Sequence, residues 1–195
     1  MEIVVAEERG EKMKEIRWHG RGGQGGFTAA RLLGMAASLA EDYFVQAFPS
    51  FGPERRGAPV LAFTRIDTKP IHDHSKVYGC DYVVVLDESL LEVVDVFEGL
   101  KPGGEVLINS ARDAGAFAGE GRRVHTIDAT GIALAVLGQP VTSTPMFGAF
   151  VGATGLVALP AALAAVDEML PADSRAKNRE VVEWAYNELR RKIHA

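Results

Sequence analysis

The stretch Ile16-Arg17-Trp18-His19-Gly20-Arg21-Gly22-Gly23-Gln24-Gly25, with the apolar residues that follow it, decides the fold. Ile16 to His19 reads as a short strand ending at a glycine cluster. Gly20 through Gly25 satisfies the spacing G-x-G-x-x-G. Beyond it Ala29, Leu33, Ala36 and Ala40 recur at i, i+4, i+7 and i+11, and Leu32, Met35 and Leu39 widen that face. This is the pattern of a well-buried helix. A strand, a glycine turn and a helix in that order open an α/β layer fold.

The composition of the turn sets its chemistry. Glycines allow sharp turning and close backbone approach, and the first N–H groups of the following helix face an anion. Gly20, Arg21, Gly22, Gly23, Gln24 and Gly25 are therefore candidate anion-binding residues, with Arg21 adding charge. A close-packed corner that needs glycine on steric grounds gives the same pattern. A nicotinamide-binding fold also requires an acid at the end of its second strand, to hold the ribose. The second strand, expected over Tyr43 to Phe48, runs into Pro49 with no acid, and Asp42 precedes it, at the wrong end.

Further along, Pro59 to Ile66 reads as a third strand. The run Tyr82-Val83-Val84-Val85-Leu86 suits a strand covered on both faces. Asp87-Glu88-Ser89 is expected to cap a helix reaching Phe97. Lys101-Pro102-Gly103-Gly104 reads as a turn, with strands at Glu105 to Asn109 and Arg123 to Ile127. Asp128 and Thr130 open a short helix to Leu137. From Thr144 the chain turns helical, with Pro160 in the first turn of a new helix. The last helix starts near Asp173-Ser174, buries Val182, Ala185, Leu189 and Ile193, and carries Arg190, Arg191 and Lys192 at its C-terminal end. The expected fold is α/β: a layered sheet flanked by helices, Rossmann-like at its start and helical at its C-terminus. Residues 1–14 form a charged N-terminal extension and residues 15–195 a single domain.

A second unusual segment is Phe48-Pro49-Ser50-Phe51-Gly52-Pro53-Glu54-Arg55-Arg56-Gly57-Ala58-Pro59. Its prolines stiffen the loop while its glycines let it turn. Arg55 and Arg56 suit bidentate recognition of phosphate or carboxylate, and Phe48 and Phe51 suit a protein interface. The plainer alternative pairs one arginine with Glu54 and leaves the other solvated.

Bulk properties narrow the function. The 195 residues carry a net charge of −5, which disfavours nucleic acid as the main partner. The single cysteine, Cys80, excludes an internal disulfide and cannot hold an iron–sulfur cluster, which needs about four thiolates. The N-terminus is acidic, unlike a signal peptide. The longest apolar region, Met146 to Ala165, is broken by glycines and Pro160, so no membrane span is expected. A reducing cytoplasm is the expected location. His72-Asp73-His74 has a spacing that suits metal, but no third ligand is near in sequence and a solvated turn is the expectation. His19, beside the glycine turn, is read as a phosphate contact or a satisfied core histidine. Cys80 is expected to be an inert small hydrophobe.

Taken together, the segments resemble the gamma subunit of pyruvate and related 2-oxoacid:ferredoxin oxidoreductases. The resemblance rests on Ile16 to Gly25, on Gln46-Ala47-Phe48-Pro49 with Phe51 to Val60, on Asp81 to Glu88, on Pro102-Gly103-Gly104 through Asn109, and on Thr144-Pro145-Met146-Phe147-Gly148-Ala149-Phe150. It covers roughly residues 15–190. The chain departs from the family at Ser143-Thr144, where many relatives carry Asn-Thr, and at Phe147, where they carry leucine. The resemblance implies a non-catalytic subunit of an enzyme that converts a 2-oxoacid, coenzyme A and oxidised ferredoxin into an acyl-CoA, carbon dioxide and reduced ferredoxin. It places thiamine diphosphate and the iron–sulfur clusters on partner alpha, beta and delta subunits, with ferredoxin met indirectly. For this chain it implies coenzyme A handling, with phosphate contacts at Gly22, Gly23, Gln24 and Gly25, Arg21 nearby, and Arg55 and Arg56 as a second group, for coenzyme A phosphates or a subunit interface. The Pro53 to Pro59 segment favours the pyruvate or branched-chain type. The alternatives are a free-standing Rossmann-type nucleotide-dependent oxidoreductase and a structural adaptor without ligand.

Overall fold

The computed structural model describes residues 13–40, 43–50, 57–73, 75–119 and 121–194. The N-terminal extension expected over residues 1–14 therefore lies, up to residue 12, outside the described residues. In chain order the elements are β1 (Lys14–Arg21), α1 (Gly26–Leu39), β2 (Phe44–Pro49), β3 (Pro59–Asp67), β4 (Cys80–Val85), β5 (Leu100–Asn109), β6 (Arg123–Ile127), α2 (Ala129–Leu137), α3 (Ser143–Thr154), α4 (Leu159–Met169) and α5 (Ala172–Ile193).

The strands form one six-stranded sheet in the order β2-β3-β1-β4-β5-β6. β1, β4, β5 and β6 are parallel, whereas β3 runs antiparallel to both β1 and β2. The C-terminal ends of the four parallel strands thus share one edge of the sheet, the edge at which open α/β sheets bind ligands.

Strand alternation sends successive side chains to opposite faces. On one face Ile16, Trp18, Ala62, Ile66, Val84 and Leu107 join residues of all five helices in a single core. α3 is its axis: every residue from Ser143 to Gly152 is buried. Gly148 and Gly152, one turn apart, let α5 lie directly on α3. A Cβ at either would fall 2.5 Å from the Val182 carbonyl oxygen or 2.6 Å from that of Tyr186. The ring of Phe150 packs against Trp18 and Tyr82, with centroids 5.5 and 5.4 Å apart.

The opposite face has no α-helix among the described residues. Phe63, Val83, Val85, Val106 and Ile108 are covered there by Val77, Leu90, Val96 and the partly buried Phe97 and Phe117 from irregular segments. Such thin cover admits buried charge, each instance with partners. Arg17 donates from Nε to His19 Nε2 at 3.0 Å and from Nη2 to the carbonyls of Val96 and Glu98. Arg65, 1% exposed, pairs with Glu15 at 3.1 Å and Asp73 at 3.4 Å.

The structure corrects several expectations. Asp87 to Phe97 is not a helix but a 3-10 turn at Glu88–Glu92 followed by turns. Val93, Val94 and Val96 are poor helix formers, and Leu90 and Val96, buried six residues apart, do not share a helical stripe. Lys101 to Gly104 does not separate two elements. It bulges within β5, between the pairs Cys80–Leu100 and Tyr82–Glu105, with Gly103 at φ 79°. Ile193 is 37% exposed and lies beyond the buried stripe of α5, which Val181 joins instead.

Candidate functional site

Asp87, two residues past the end of β4, organises the glycine turn. Two side chains of the turn meet on its Oδ2: Arg21 Nε donates at 3.1 Å and Gln24 Nε2 at 2.8 Å. Its Oδ1 accepts from the Ser89 backbone N–H at 3.0 Å and hydroxyl at 2.6 Å. Gln24 folds back so that its Oε1 accepts the Arg21 N–H at 2.8 Å. Burial works against the charged carboxyl of Asp87, but hydrogen bonds from Ser89 and Gln24 and the Arg21 charge more than offset it and hold its pKa below the ordinary value.

Arg21 is therefore occupied. Besides Asp87 it donates to the Gly57 carbonyl at 3.0 Å and the Ser89 hydroxyl at 2.8 Å. The sequence suggested a charge aimed at a ligand, whereas the structure uses this guanidinium to tie three loops together. What remains free is backbone. α1 begins at Gly26 with no side-chain cap and no acid in its first turn. Among the described residues, the N–H groups of Gly26, Phe27 and Thr28 have no partner, as the first turn of any helix leaves them unless a cap intervenes.

The glycines divide by role. Gly25 caps α1 in the left-handed region (φ 77°), and a Cβ there would lie 3.0 Å from that of Ser143. It answers the steric requirement. Gly23 (φ 96°) and Gly26 face open space, so close packing does not explain their lack of side chains. The turn is also fastened to the second expected segment. Gly22 N–H donates to the Ala58 carbonyl at 2.9 Å, and Gly57 N–H to the Gly22 carbonyl at 3.2 Å. Arg55 and Arg56, which precede Gly57 in the chain, lie outside the described residues.

Beside the turn a cleft of about 520 Å³ opens at the C-terminal ends of β4, β5 and β6, with Gln24, Asp87, Asn109, Ser110, Thr130 and Thr142 among its walls. Asn109 clasps the floor, donating from Nδ2 to the Leu86 carbonyl and the Thr130 hydroxyl at 2.9 Å each. The acids at the rim are engaged. Glu88 pairs with Arg112 at 2.8 Å, and Asp128 accepts the Gly131 N–H at 2.7 Å as the cap of α2. Sequence reasoning singled out none of Asn109, Ser110, Thr130 or Thr142 as site residues. Position could have found the first three, because each lies at or just beyond the C-terminal end of a parallel strand.

His19 is 5% exposed and accepts from Arg17, and burial first, then the Arg17 charge, lowers its pKa to about 3. It is a neutral core histidine on the face without α-helices. Burial raises the pKa of the Cys80 thiol. His72 is exposed, and His74 lies outside the described residues. Among the described residues, no three His, Cys, Asp or Glu side chains gather to hold a metal, and no helix is long and apolar enough to cross a membrane. The position of a ribose-binding acid is also displaced by topology. The neighbours of β1 are antiparallel β3 and parallel β4, so the end of β2 is two strands removed from the turn.

Comparison with known proteins bears on the family and the fold. The family described as pyruvate ferredoxin/flavodoxin oxidoreductase matches residues 15–188. The pyruvate synthase subunit PorC of Methanothermobacter marburgensis is 53% identical over 178 residues, 91% of this chain and 98% of that one. The pyruvate/ketoisovalerate oxidoreductases common subunit gamma of Thermococcus kodakarensis is 49% identical across 90% of this chain and 96% of its own. The crystal structure of pyruvate oxidoreductase subunit PORC from Thermotoga maritima superposes with a TM-score of 0.79 at 38% identity, covering 91% of this chain and 97% of that one.

Proposed function

The chain belongs to the pyruvate ferredoxin/flavodoxin oxidoreductase family, and from that membership we infer that it is the gamma subunit of a multisubunit 2-oxoacid:ferredoxin oxidoreductase of the pyruvate type. The assembly makes an acyl-CoA and carbon dioxide from a 2-oxoacid and coenzyme A, and passes electrons to ferredoxin. This chain, residues 15–195 acting as one gamma-type domain, supplies coenzyme A binding and a structural face for the alpha, beta and delta subunits in the cytoplasm. Thiamine diphosphate and iron–sulfur clusters on those partners supply the carbon and electron chemistry. The lone buried thiol of Cys80 fits that division, since one thiolate does not hold a cluster.

The observation that carries the reading is the uncapped start of α1, set behind Gly23 and Gly26 at the ligand-binding edge of the sheet. Backbone N–H groups and the helix dipole favour a phosphate there, and coenzyme A has three phosphates. Gly22, Gly23, Gln24 and Gly25 shape the cradle, Gly20 and Arg21 hold its base, and Arg55 and Arg56 are the second group assigned to coenzyme A phosphates or a subunit interface. The test is an anaerobic co-purification with the tagged chain. Recovery of larger subunits carrying thiamine diphosphate and iron is the expected result. Recovery of the chain alone, from an extract with active 2-oxoacid oxidoreductase, would refute the subunit assignment.

A further inference from the structure

The start of α3 abuts the start of α1. The Ser143 hydroxyl oxygen lies 3.1 Å from where a Gly25 side chain would begin. Like α1, α3 has no side-chain cap and no acid in its first turn. The N–H groups of Ser143 and Thr144 have no partner among the described residues, and Pro145 has no N–H to offer.

Two side chains add an observation independent of the helix end. Thr142, 5% exposed, lines the cleft, and Ser143 is 3% exposed. Among the described residues neither hydroxyl makes a hydrogen bond, whereas the neighbouring Thr144 hydroxyl donates to Asn178 at 2.9 Å. No fully buried side-chain oxygen or nitrogen among the described residues lacks a partner. The Thr142 and Ser143 hydroxyls, which lack one, therefore keep a path to the space beside them. Such hydroxyls are free to meet a polar group that enters that space.

We propose that the α3 start, through the Thr142 and Ser143 hydroxyls and the Ser143 and Thr144 N–H groups, is a second phosphate subsite, so that α1 and α3 together grip the two phosphoryl groups of a diphosphate ester. This deepens the coenzyme A reading and rests on it for the identity of the natural ligand, but the subsite itself is defined by diphosphate chemistry. Each helix end meets one phosphoryl group, and the hydroxyls select two linked phosphates over one. With no free arginine among the cradle's described residues, selectivity comes from donor geometry rather than from net charge.

The experiment is calorimetric titration of the full-length chain with inorganic pyrophosphate, inorganic phosphate and coenzyme A. The wild type is compared with the double variant Thr142→Val/Ser143→Ala and with Gly26→Asp. Because the two hydroxyls have no protein partner, the double variant should melt within a few degrees of wild type. The expected result is pyrophosphate affinity at least tenfold above phosphate affinity. The double variant should lose at least fivefold for pyrophosphate and less than twofold for phosphate, while Gly26→Asp weakens both. Equal affinity of wild type and double variant for pyrophosphate, or wild-type affinity for pyrophosphate no greater than for phosphate, would overturn the proposal. If coenzyme A binding falls with Gly26→Asp but ignores the double variant, the α3 subsite is wrong and the α1 cradle stands. If pyrophosphate responds to the double variant but coenzyme A does not bind wild type, the subsite stands and the coenzyme A reading falls.

Discussion

Two kinds of helix start meet at the same edge of this sheet. α2 satisfies itself: Asp128 turns back onto the Gly131 N–H at 2.7 Å, and a Cβ on Gly131 would lie 2.4 Å from the carboxylate. α1 and α3 do the opposite, with glycine and threonine at their N-cap positions, no side-chain cap and no acid in the first turn. Both kinds pack equally well, since the first residue of each helix is buried. Burial does not explain the difference; the proposed phosphate site accounts for it at α1 and α3, while α4 and α5 are also without a side-chain cap. A capped start has spent its donors on its own chain, and an uncapped one keeps them for something that arrives.

The contrast can be broken by substitution. Asp87 should have the largest effect on stability, because four hydrogen bonds converge on it from Arg21, Gln24 and Ser89. Asp87→Ala is expected to cost about 2–3 kcal/mol in urea unfolding, as it also leaves Arg21 without its counter-charge. Its titration has a definite sign. The carboxyl sits below its ordinary value of 3.8 when folded, so its contribution is full above that pH and is lost as pH falls through the lower folded value. Wild type should lose stability below about pH 4 more steeply than Asp87→Asn, and parallel acid-unfolding curves would contradict this.

Gly25→Ala comes next, at about 1–2 kcal/mol, because φ 77° and Ser143 at 3.0 Å both oppose a methyl group. Asp128→Ala should cost least, about 1 kcal/mol for a lost cap, and should leave coenzyme A affinity unchanged. A drop in that affinity would mean that the α2 start also serves the ligand and would erase the distinction between the two kinds.

Much of this arrangement can be read from the sequence where physics is local. The strand, glycine turn and helix over Ile16 to Leu39, the apolar run at Tyr82 to Leu86, Asp128 as a cap and Pro160 in a first turn all follow from nearest-neighbour chemistry. Partnerships across the sheet do not. Nothing near Arg21 in sequence announces that Asp87, 66 residues on, takes its charge, so a residue read as a ligand contact serves as a brace. The antiparallel insertion of β3 beside β1 is equally silent, and so is the gathering of the described α-helices on one face. The segment after Asp87 misleads for another reason. A good cap followed by apolar residues reads as a helix, but its valines favour extended backbone and its core contacts lie on the sheet. Thr142 carries no sequence signal as a site residue, and Ser143 stands out only as a departure from the asparagine of many relatives. The role proposed for them arises only when neighbouring hydroxyls prove partnered and these do not.

The most direct test of the central claim is coenzyme A titration of the assembled enzyme carrying Gly26→Asp. The new side chain enters open space at the first position of α1, and an acid there favours the helix by about 0.3–1 kcal/mol, so the fold should be as stable as wild type or slightly more so. It also places a negative charge among the donors assigned to phosphate. The account predicts at least a tenfold loss of coenzyme A affinity with an unchanged melting temperature. Undiminished affinity in a correctly folded, fully assembled variant would contradict it.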